Sequence, residues 1–476
     1  MLPDVSRLDS LSDSDLEALR KALSPLTADL IARAEAVLPG TLDAVRLPVV
    51  QAWWRQQPGP GPLLARLFAY ADHLTPAETE QALGSLLGRL SEAGVLRSTA
   101  EGVSSAYVLM PFEGLLILSD PFGPEDPVMG PGATTYELAR AMPNFAARAL
   151  DVGTGAGTLA LLLAKRGATQ VVATDLSPRA IRLTRFNARL ANVHIDARVG
   201  DLLAPVAGEQ FDLVVAQPPF VVRPDGIDAK TTLHGGPQGD ELAFRLLAEL
   251  DGVLAPGGRA LVRFDSPVLS TPLIARVRAA LGRDDLRLTM FLGPPVSPER
   301  YASAYASAMD PSLGPDYRRY AGAYYRHLLA HGFERTTPSL LALDRRPPHY
   351  AAALRPPNLA RATAATIALT ETALAMAGLE DNSLLGVRLR TQPTARVVQD
   401  QPLGGEPSFH LHFNAGVAED QEIGENVAVL LDGFGEGATV AAGLAAFAAA
   451  HGDPGPREPL LRFVRDALSK GILVPA

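Results

Sequence analysis

Apolar positions recur at helical spacing through the first hundred residues. Leu16, Leu19 and Leu23 precede a break at Ser24-Pro25, and Leu86, Leu87 and Leu90 lead to a stop at Gly94. Between them, Thr75-Pro76-Ala77-Glu78 is a helix start, with threonine as N-cap and proline at the first helical position. Trp53 and Trp54, ahead of a Pro-Gly break at 58–62, read as packing anchors of a small helical domain. Val95-Leu96, a polar turn and the run Ala106 to Met110 then predict a two-stranded wing after two helices.

From about residue 105 to 346 the pattern alternates strand with helix, as a parallel α/β sheet requires. Strand-like runs lie at Ala149–Val152, Val171–Thr174, Ala197–Val199, Phe211–Ala216, Ala260–Val262, Leu286–Leu292 and Leu340–Leu343. The helix from Pro178 carries Arg179, Arg182, Arg185 and Arg189 largely on one face, which reads as a solvated face. An insertion over 296–338 is rich in tyrosine (Tyr301, Tyr305, Tyr317, Tyr320, Tyr324, Tyr325). It predicts a helical hairpin with its hydroxyls at the surface. The alternative is an element that covers a substrate at the carboxyl ends of the strands.

Beyond about 355, Arg361 to Ala377 is helical and Ser408 to Phe413 alternates as a strand, with His410 and His412 on one face. No further ligands stand nearby, so the pair reads as solvent-facing and no metal is expected. Phe463 to Leu473 repeats the helix, glycine stop and apolar strand of Leu87 to Leu96, which suggests a second winged-helix-like unit. The expected division is 1–104, helical and winged-helix-like; 105–350, the α/β domain; and 351–476, an α+β domain, also winged-helix-like.

Bulk properties narrow the function. The chain has 476 residues, 47% of them hydrophobic and 20% charged, enough for two or three well-packed domains. It has no cysteine, which excludes disulfides, thiolate metal sites and cysteine nucleophiles. A net charge of −9 argues against a broad phosphate-binding surface, although local basic patches remain open. No membrane span or signal peptide stands out, so a cytoplasmic protein is expected.

The chemistry-bearing stretch is Asp151-Val152-Gly153-Thr154-Gly155-Ala156-Gly157-Thr158, an apolar strand ending in a glycine turn that opens a helix. Asp175 ends the next strand, where a carboxylate accepts hydrogen bonds from ribose hydroxyls in nucleotide-binding sheets. The spacing G-x-G-x-G, with no basic residue in the turn, departs from the G-x-G-x-x-G that holds a pyrophosphate. A nicotinamide oxidoreductase is thereby disfavoured. Gln217-Pro218-Pro219-Phe220 follows a buried strand. Its prolines stiffen the backbone, the Gln217 oxygen can accept from an N–H, and Phe220 can stack on a planar group.

These motifs resemble those of the class I S-adenosyl-L-methionine (SAM) methyltransferases over roughly residues 110–265. The glycine turn resembles their motif I. Gln217-Pro218-Pro219-Phe220 resembles motif IV of the N-directed members, such as the release-factor glutamine and rRNA guanine-N2 methyltransferases. Leu233 to Gly239 is similar to the glycine-rich stretch that follows motif IV in the glutamine-methylating branch. The resemblance implies a Rossmann-like sheet and SAM as cofactor. It implies cofactor contacts from Thr134, Asp151, Gly153, Thr154, Gly155, Gly157, Asp175, Leu176, Asn187, Asp201, Leu202 and Gln217. It implies catalytic roles for Gln217, Pro218 and Phe220, with His234 as the candidate base if the acceptor were an oxygen. One departure is Gln217, where the family has Asn, Asp or Ser. The expected function is N-directed methylation of a peptide, protein or related metabolite. The alternatives are an rRNA methyltransferase and a SAM-binding scaffold without catalysis.

Overall fold

Seven apolar runs between residues 148 and 344 and an eighth strand after them assemble into one sheet. The strands are β1 (Arg148–Val152), β2 (Gln170–Asp175), β3 (Asp196–Val199), β4 (Phe211–Ala216), β5 (Leu254–Pro267), β6 (Arg287–Leu292), β7 (Thr336–Asp344) and β8 (Tyr350–Leu354). Their order across the sheet is β8-β6-β7-β5-β4-β1-β2-β3. β7 runs antiparallel to both of its neighbours, and the remaining pairs are parallel. This computed structural model describes residues 2–39, 46–121, 125–144, 146–401, 403, 405–451 and 457–476.

Both faces of the sheet are covered, which is why its inner strands read as unbroken apolar runs. Side chains alternate between two cores. Ala149, Val171, Ala173, Leu213, Val215 and Leu261 face one; Leu150, Val172, Val214, Ala260 and Val262 face the other. The chain reverses direction across the sheet between β1 and β4, so a crevice opens there at the carboxyl ends. Helices α1 (Ala133–Ala141), α2 (Thr158–Lys165) and α3 (Pro178–Ala191) flank it. Ser177 caps α3, Pro178 opens it and left-handed Asn192 ends it.

Arg179, Arg182 and Arg189 of the α3 row reach the N-terminal segment, while Arg182 and Arg185 keep the exposure expected of a solvated face. Arg179 donates to both oxygens of Asp120 (2.7 and 2.6 Å) and to Pro3 O (2.8 Å). Arg189 reaches Leu11 O (2.7 Å) and Asp13 (2.9 Å), and Arg182 reaches Asp9 (3.2 Å). Periodicity placed these arginines on one face, but the partners of Arg179, Arg182 and Arg189 are scattered backbone carbonyls and acids more than fifty residues away. The N-terminal leucines Leu8, Leu16, Leu19 and Leu23 share one continuous core with α2, α3 and one face of the sheet.

Leu74 bridges Val103, helices Pro76–Leu83 and Leu86–Glu92 follow, and strands Leu96–Thr99 and Gly102–Ser105 form an antiparallel hairpin. The wing therefore closes at Ser105 instead of using Ala106 to Met110. Gly102 turns the chain at φ +133°, where a Cβ would lie 2.4 Å from Leu74 O. Val108–Phe112 pairs separately with Leu115–Ser119. Near the C-terminal end the same order recurs: helix Glu425–Asp432, strand Ala438–Thr439, helices Val440–His451 and Arg457–Ser469, and strand Leu473–Pro475. Gly94 and Gly471, at φ +71° and +72°, end the matching helices. In each case the next residue donates back into the last turn, Val95 to Leu90 and Ile472 to Ala467. Among the described residues no helix is long and apolar enough to cross a membrane.

The insertion is a hairpin of helices Pro298–Met309 and Pro315–Ala330 between β6 and β7. Its central tyrosines point inward: Tyr301 and Tyr324 are fully buried, so the expectation of surface hydroxyls fails for them. Their hydroxyls serve buried polar groups of the neighbouring loop.

The α3 arginines yield a graded expectation. Asp120 is fully buried and Arg179 only 21% exposed. Arg179→Ala strands a buried carboxylate and should lower stability by about 3 kcal/mol. The Arg182–Asp9 pair lies in water, and Arg182→Ala should change stability by less than ~0.5 kcal/mol. Denaturant midpoints of the two variants check the contrast; equal shifts would refute it.

Candidate functional site

The glycine turn after β1 is held by two carboxylates. Asp151 is buried; its Oδ2 accepts from Thr154 Oγ1 (2.7 Å) and from Ala160 N (3.0 Å). Burial pushes its carboxyl up to about 7. Asp175 ends β2 and accepts from Gly155 N (2.9 Å) and Ser177 N (2.8 Å), with its carboxyl also raised by burial. Gly153, Gly155 and Gly157 all have positive φ. At Gly157 a Cβ would lie 2.7 Å from Leu161 Cδ1 and 3.0 Å from Thr184 Cγ2, so only glycine lets α2 and α3 pack this closely.

The turn forms one wall of a cleft of about 180 Å³ that opens to solvent. Asp151, Asp175, Asp201 and Gln217 supply its polar lining, and Leu176 and Leu202 supply apolar surface. Met129 and Gly130 on one side and Thr231 and Thr232 on the other complete the rim. Among the described residues no lysine or arginine lines it, although Arg245 pairs with Asp201 from outside (2.6 Å). A phosphate-bearing nucleotide would meet Asp151 and Asp175, at a turn whose spacing is wrong for pyrophosphate, and Asp201 is already paired with Arg245. An adenosyl ligand carrying a sulfonium and an ammonium group suits this donor set: carboxylates for hydroxyls and cations, leucines for a flat base. The residues present therefore fit SAM.

At the far wall, Gln217 follows β4 and its Nε2 donates to Thr134 Oγ1 (2.7 Å), at the start of α1. Pro218 is buried beneath it, while Pro219 lines the cleft. Val221–Val222 pairs in parallel with His234–Gly236, which lays the glycine-rich loop against this segment. A Cβ on Gly235 would lie 2.4 Å from Pro219 O, and one on Gly239 2.6 Å from Phe220 O. Tyr301 Oη accepts from Val222 N (2.9 Å), so the tyrosine hairpin also braces the segment.

Of the expected site residues, Thr134, Gly157, Asn187, Pro218, Phe220 and His234 do not line the cleft. Asn187 is buried away from the cleft; it accepts from Leu118 N (3.0 Å) and donates to Leu118 O and Ala156 O (both 2.8 Å). It ties the 108–119 hairpin to the glycine turn, a task that needs the same amide chemistry as ligand binding. His234 faces the tyrosine hairpin: its Nδ1 accepts from Lys230 N (2.9 Å) and its Nε2 pairs with Tyr324 Oη (2.8 Å). Burial pushes it down to about 4, so it is neutral and is no base for the cleft. Thr134 contacts Gln217 and is absent from the cleft lining. His410 and His412 stack at 6.3 Å, and His412 pairs with Asp420; among the described residues no metal-holding cluster exists.

The sequence reading missed Met129, Thr231 and Thr232 on the rim, and Asp126, which joins its two sides. Asp126 accepts from Thr231 N (3.0 Å) and Thr231 Oγ1 (2.6 Å) and also faces Thr232. No motif marks these residues. Their only signal is adjacency to Gly130 and His234.

Sheet order, the antiparallel β7 and the carboxylate-lined crevice define a class I, SAM-type methyltransferase fold. Residues 132–261 match the family model described as the Methyltransferase small domain. A release factor glutamine methyltransferase of Deinococcus radiodurans is 38% identical over 149 residues, 29% of this chain and 53% of the relative. One from Koribacter versatilis is 33% identical over 147 residues, 28% of this chain and 52% of the relative. The chain thus spans about half the length of the curated relatives it matches. A solved ribosomal protein L11 methylase of Lactobacillus delbrueckii subsp. bulgaricus covers 45% of this chain and 77% of its own at 20% identity, with a TM-score of 0.26, too distant to carry weight.

Because its folded value lies below the ordinary 6.5, His234 takes up a proton more readily in the unfolded chain. The stability it supports is present above pH 6.5 and is lost as pH falls toward 4. The His234 ring resonances should therefore stay at their neutral positions from pH 8 down to pH 5. A midpoint near 6.5 would contradict the burial and leave His234 available as a base.

Proposed function

We propose that this chain is a SAM-dependent methyltransferase that methylates a side-chain amide nitrogen of a protein, in the cytoplasm, with glutamine as the first candidate. The observation that carries this reading is the carboxylate-lined cleft ending at the oriented amide of Gln217. The relatives named as release factor glutamine methyltransferases support the acceptor class. SAM, when bound, supplies an electrophilic methyl group.

The chain's own residues bind and orient. Asp175 and Asp201 would hold the ribose and base edges, and Leu176 and Leu202 would hold the flat ring. Gln217 donates to Thr134, which leaves its carbonyl oxygen to accept from the acceptor N–H. The methylene by which glutamine exceeds asparagine serves this reach to Thr134. Phe220 supplies an aromatic surface beside it. Placing the acceptor is the main demand of a direct displacement, and that is orientation more than proton transfer. An oxygen acceptor would need a base, and the neutral, inward-facing His234 does not provide one.

The flanking regions 1–104 and 351–476 would present the protein substrate. They would do so as winged-helix-like units, each with two helices, a glycine stop and a following strand, whose edges suit an extended segment.

Methyl-labelled SAM, full-length protein and the cell's own release factors test the reading. Label should enter protein and sit on glutamine after hydrolysis-free peptide mapping; label confined to RNA would overturn it. Gln217→Ala should slow transfer by roughly 10- to 1000-fold and leave SAM affinity within a few-fold, as expected when a reacting group is misplaced. Gln217→Asn should also be slower than the natural chain, because asparagine does not reach Thr134. Equal rates for all three would remove Gln217 from the acceptor site.

A further inference from the structure

Helix α1 reaches the segment Gln217–Phe220 directly through Thr134 and indirectly through Glu137 and Arg263. Thr134 accepts the Gln217 side-chain N–H, and Glu137, three residues on and so on the same face, accepts Arg263 Nε at 2.7 Å. Arg263 stands on β5 directly after Val262, which pairs with Ala216, so it lies level with Gln217. Its guanidinium is 4% exposed and donates also to Asp265 Oδ1 at 2.5 Å. The guanidinium carbon is 5.4 Å from the centre of the Phe220 ring. Asp265 in turn faces the half-buried Tyr305 of the tyrosine hairpin.

A charge here has no structural necessity. Leu261, Val262 and Phe264 on the same strand are wholly buried and apolar. Replacing a buried ion cluster with apolar residues is often neutral or stabilising, so its presence points to a role other than holding the fold. The geometry supplies that role. A guanidinium clamped by two carboxylates is a rigid plate, and an aromatic ring laid against it has a preferred position.

We propose that Arg263 is a positioning residue for methyl transfer: held by Glu137 and Asp265, it fixes the Phe220 ring while Thr134 fixes the Gln217 amide. One helix thus sets both ends of the acceptor-binding segment. This inference rests on the acceptor role given to Gln217 and Phe220 above. A lysine keeps the charge but lacks the planar fork, so it cannot serve both carboxylates and the ring together. A glutamine at 137 keeps an oxygen for Arg263 Nε and preserves the clamp.

The test uses the full-length protein and its labelled-methyl assay, with SAM affinity measured separately. Arg263→Lys and Glu137→Ala should lower kcat roughly 10- to 100-fold with SAM affinity changed less than ~3-fold. Glu137→Gln should restore kcat to within ~3-fold of the natural chain, which loss of fold would not allow. In a second arm, fluorophenylalanine is incorporated and the Phe220 resonance is assigned through Phe220→Leu. That resonance should be single in the natural chain and in Glu137→Gln, and shifted or broadened in Arg263→Lys. Unchanged kcat and an unchanged resonance in Arg263→Lys would overturn the inference. A natural chain that transfers no methyl to protein refutes the proposed function instead, and the fluorine arm alone then decides whether Arg263 fixes the ring.

Discussion

Two carboxylates at the ends of adjacent strands, with Thr174 O accepting from Gly153 N and Thr154 N, hold the glycine turn, and the site is built outward from that restraint. Asp151 ties the turn to the first turn of α2 through Thr154 Oγ1 and Ala160 N. Asp175 captures Gly155 N from the other side. Each backbone N–H satisfied in this way is one the turn no longer offers to an anion, and each buried carboxylate adds negative character to the cleft. Desolvation makes this costly, as the raised carboxyl of Asp151 shows. A cationic, phosphate-free ligand is the partner that relieves it.

The remaining elements keep that cleft in register. Asn187 and Gly157 bring α3 and the 108–119 hairpin against the turn, and the arginines of α3 fasten the N-terminal helices behind it. On the opposite side α1, the glycine-rich loop and the tyrosine hairpin converge on Gln217 to Val222. The N-terminal region is therefore part of the frame of the site, since it shares the core that supports α2 and α3.

Much of this was legible in the sequence because periodicity and turn chemistry are local. The strands, the glycine turn, Asp175, Asp201, Gln217 and the helical hairpin all stand where the pattern places them. What escaped was set by partners distant in sequence. The α3 arginines have an obvious face, but Asp120 and Asp9 cannot be paired with them by spacing. Asn187 and His234 carry chemistry suited to a ligand, and only burial shows that backbone amides and Tyr324 already use it. The wing slipped because a single glycine, Gly102, turns the chain earlier than the apolar run at 106–110 suggested.

The central claim is that the cleft selects an adenosyl cation and rejects adenosyl phosphates. Calorimetric titration of the full-length protein with SAM, ATP and NAD under one set of conditions tests it most directly. Saturable SAM binding is expected at micromolar concentration, with ATP and NAD at least ~100-fold weaker, a difference of about 2.7 kcal/mol. ATP or NAD binding as tightly as SAM would contradict it.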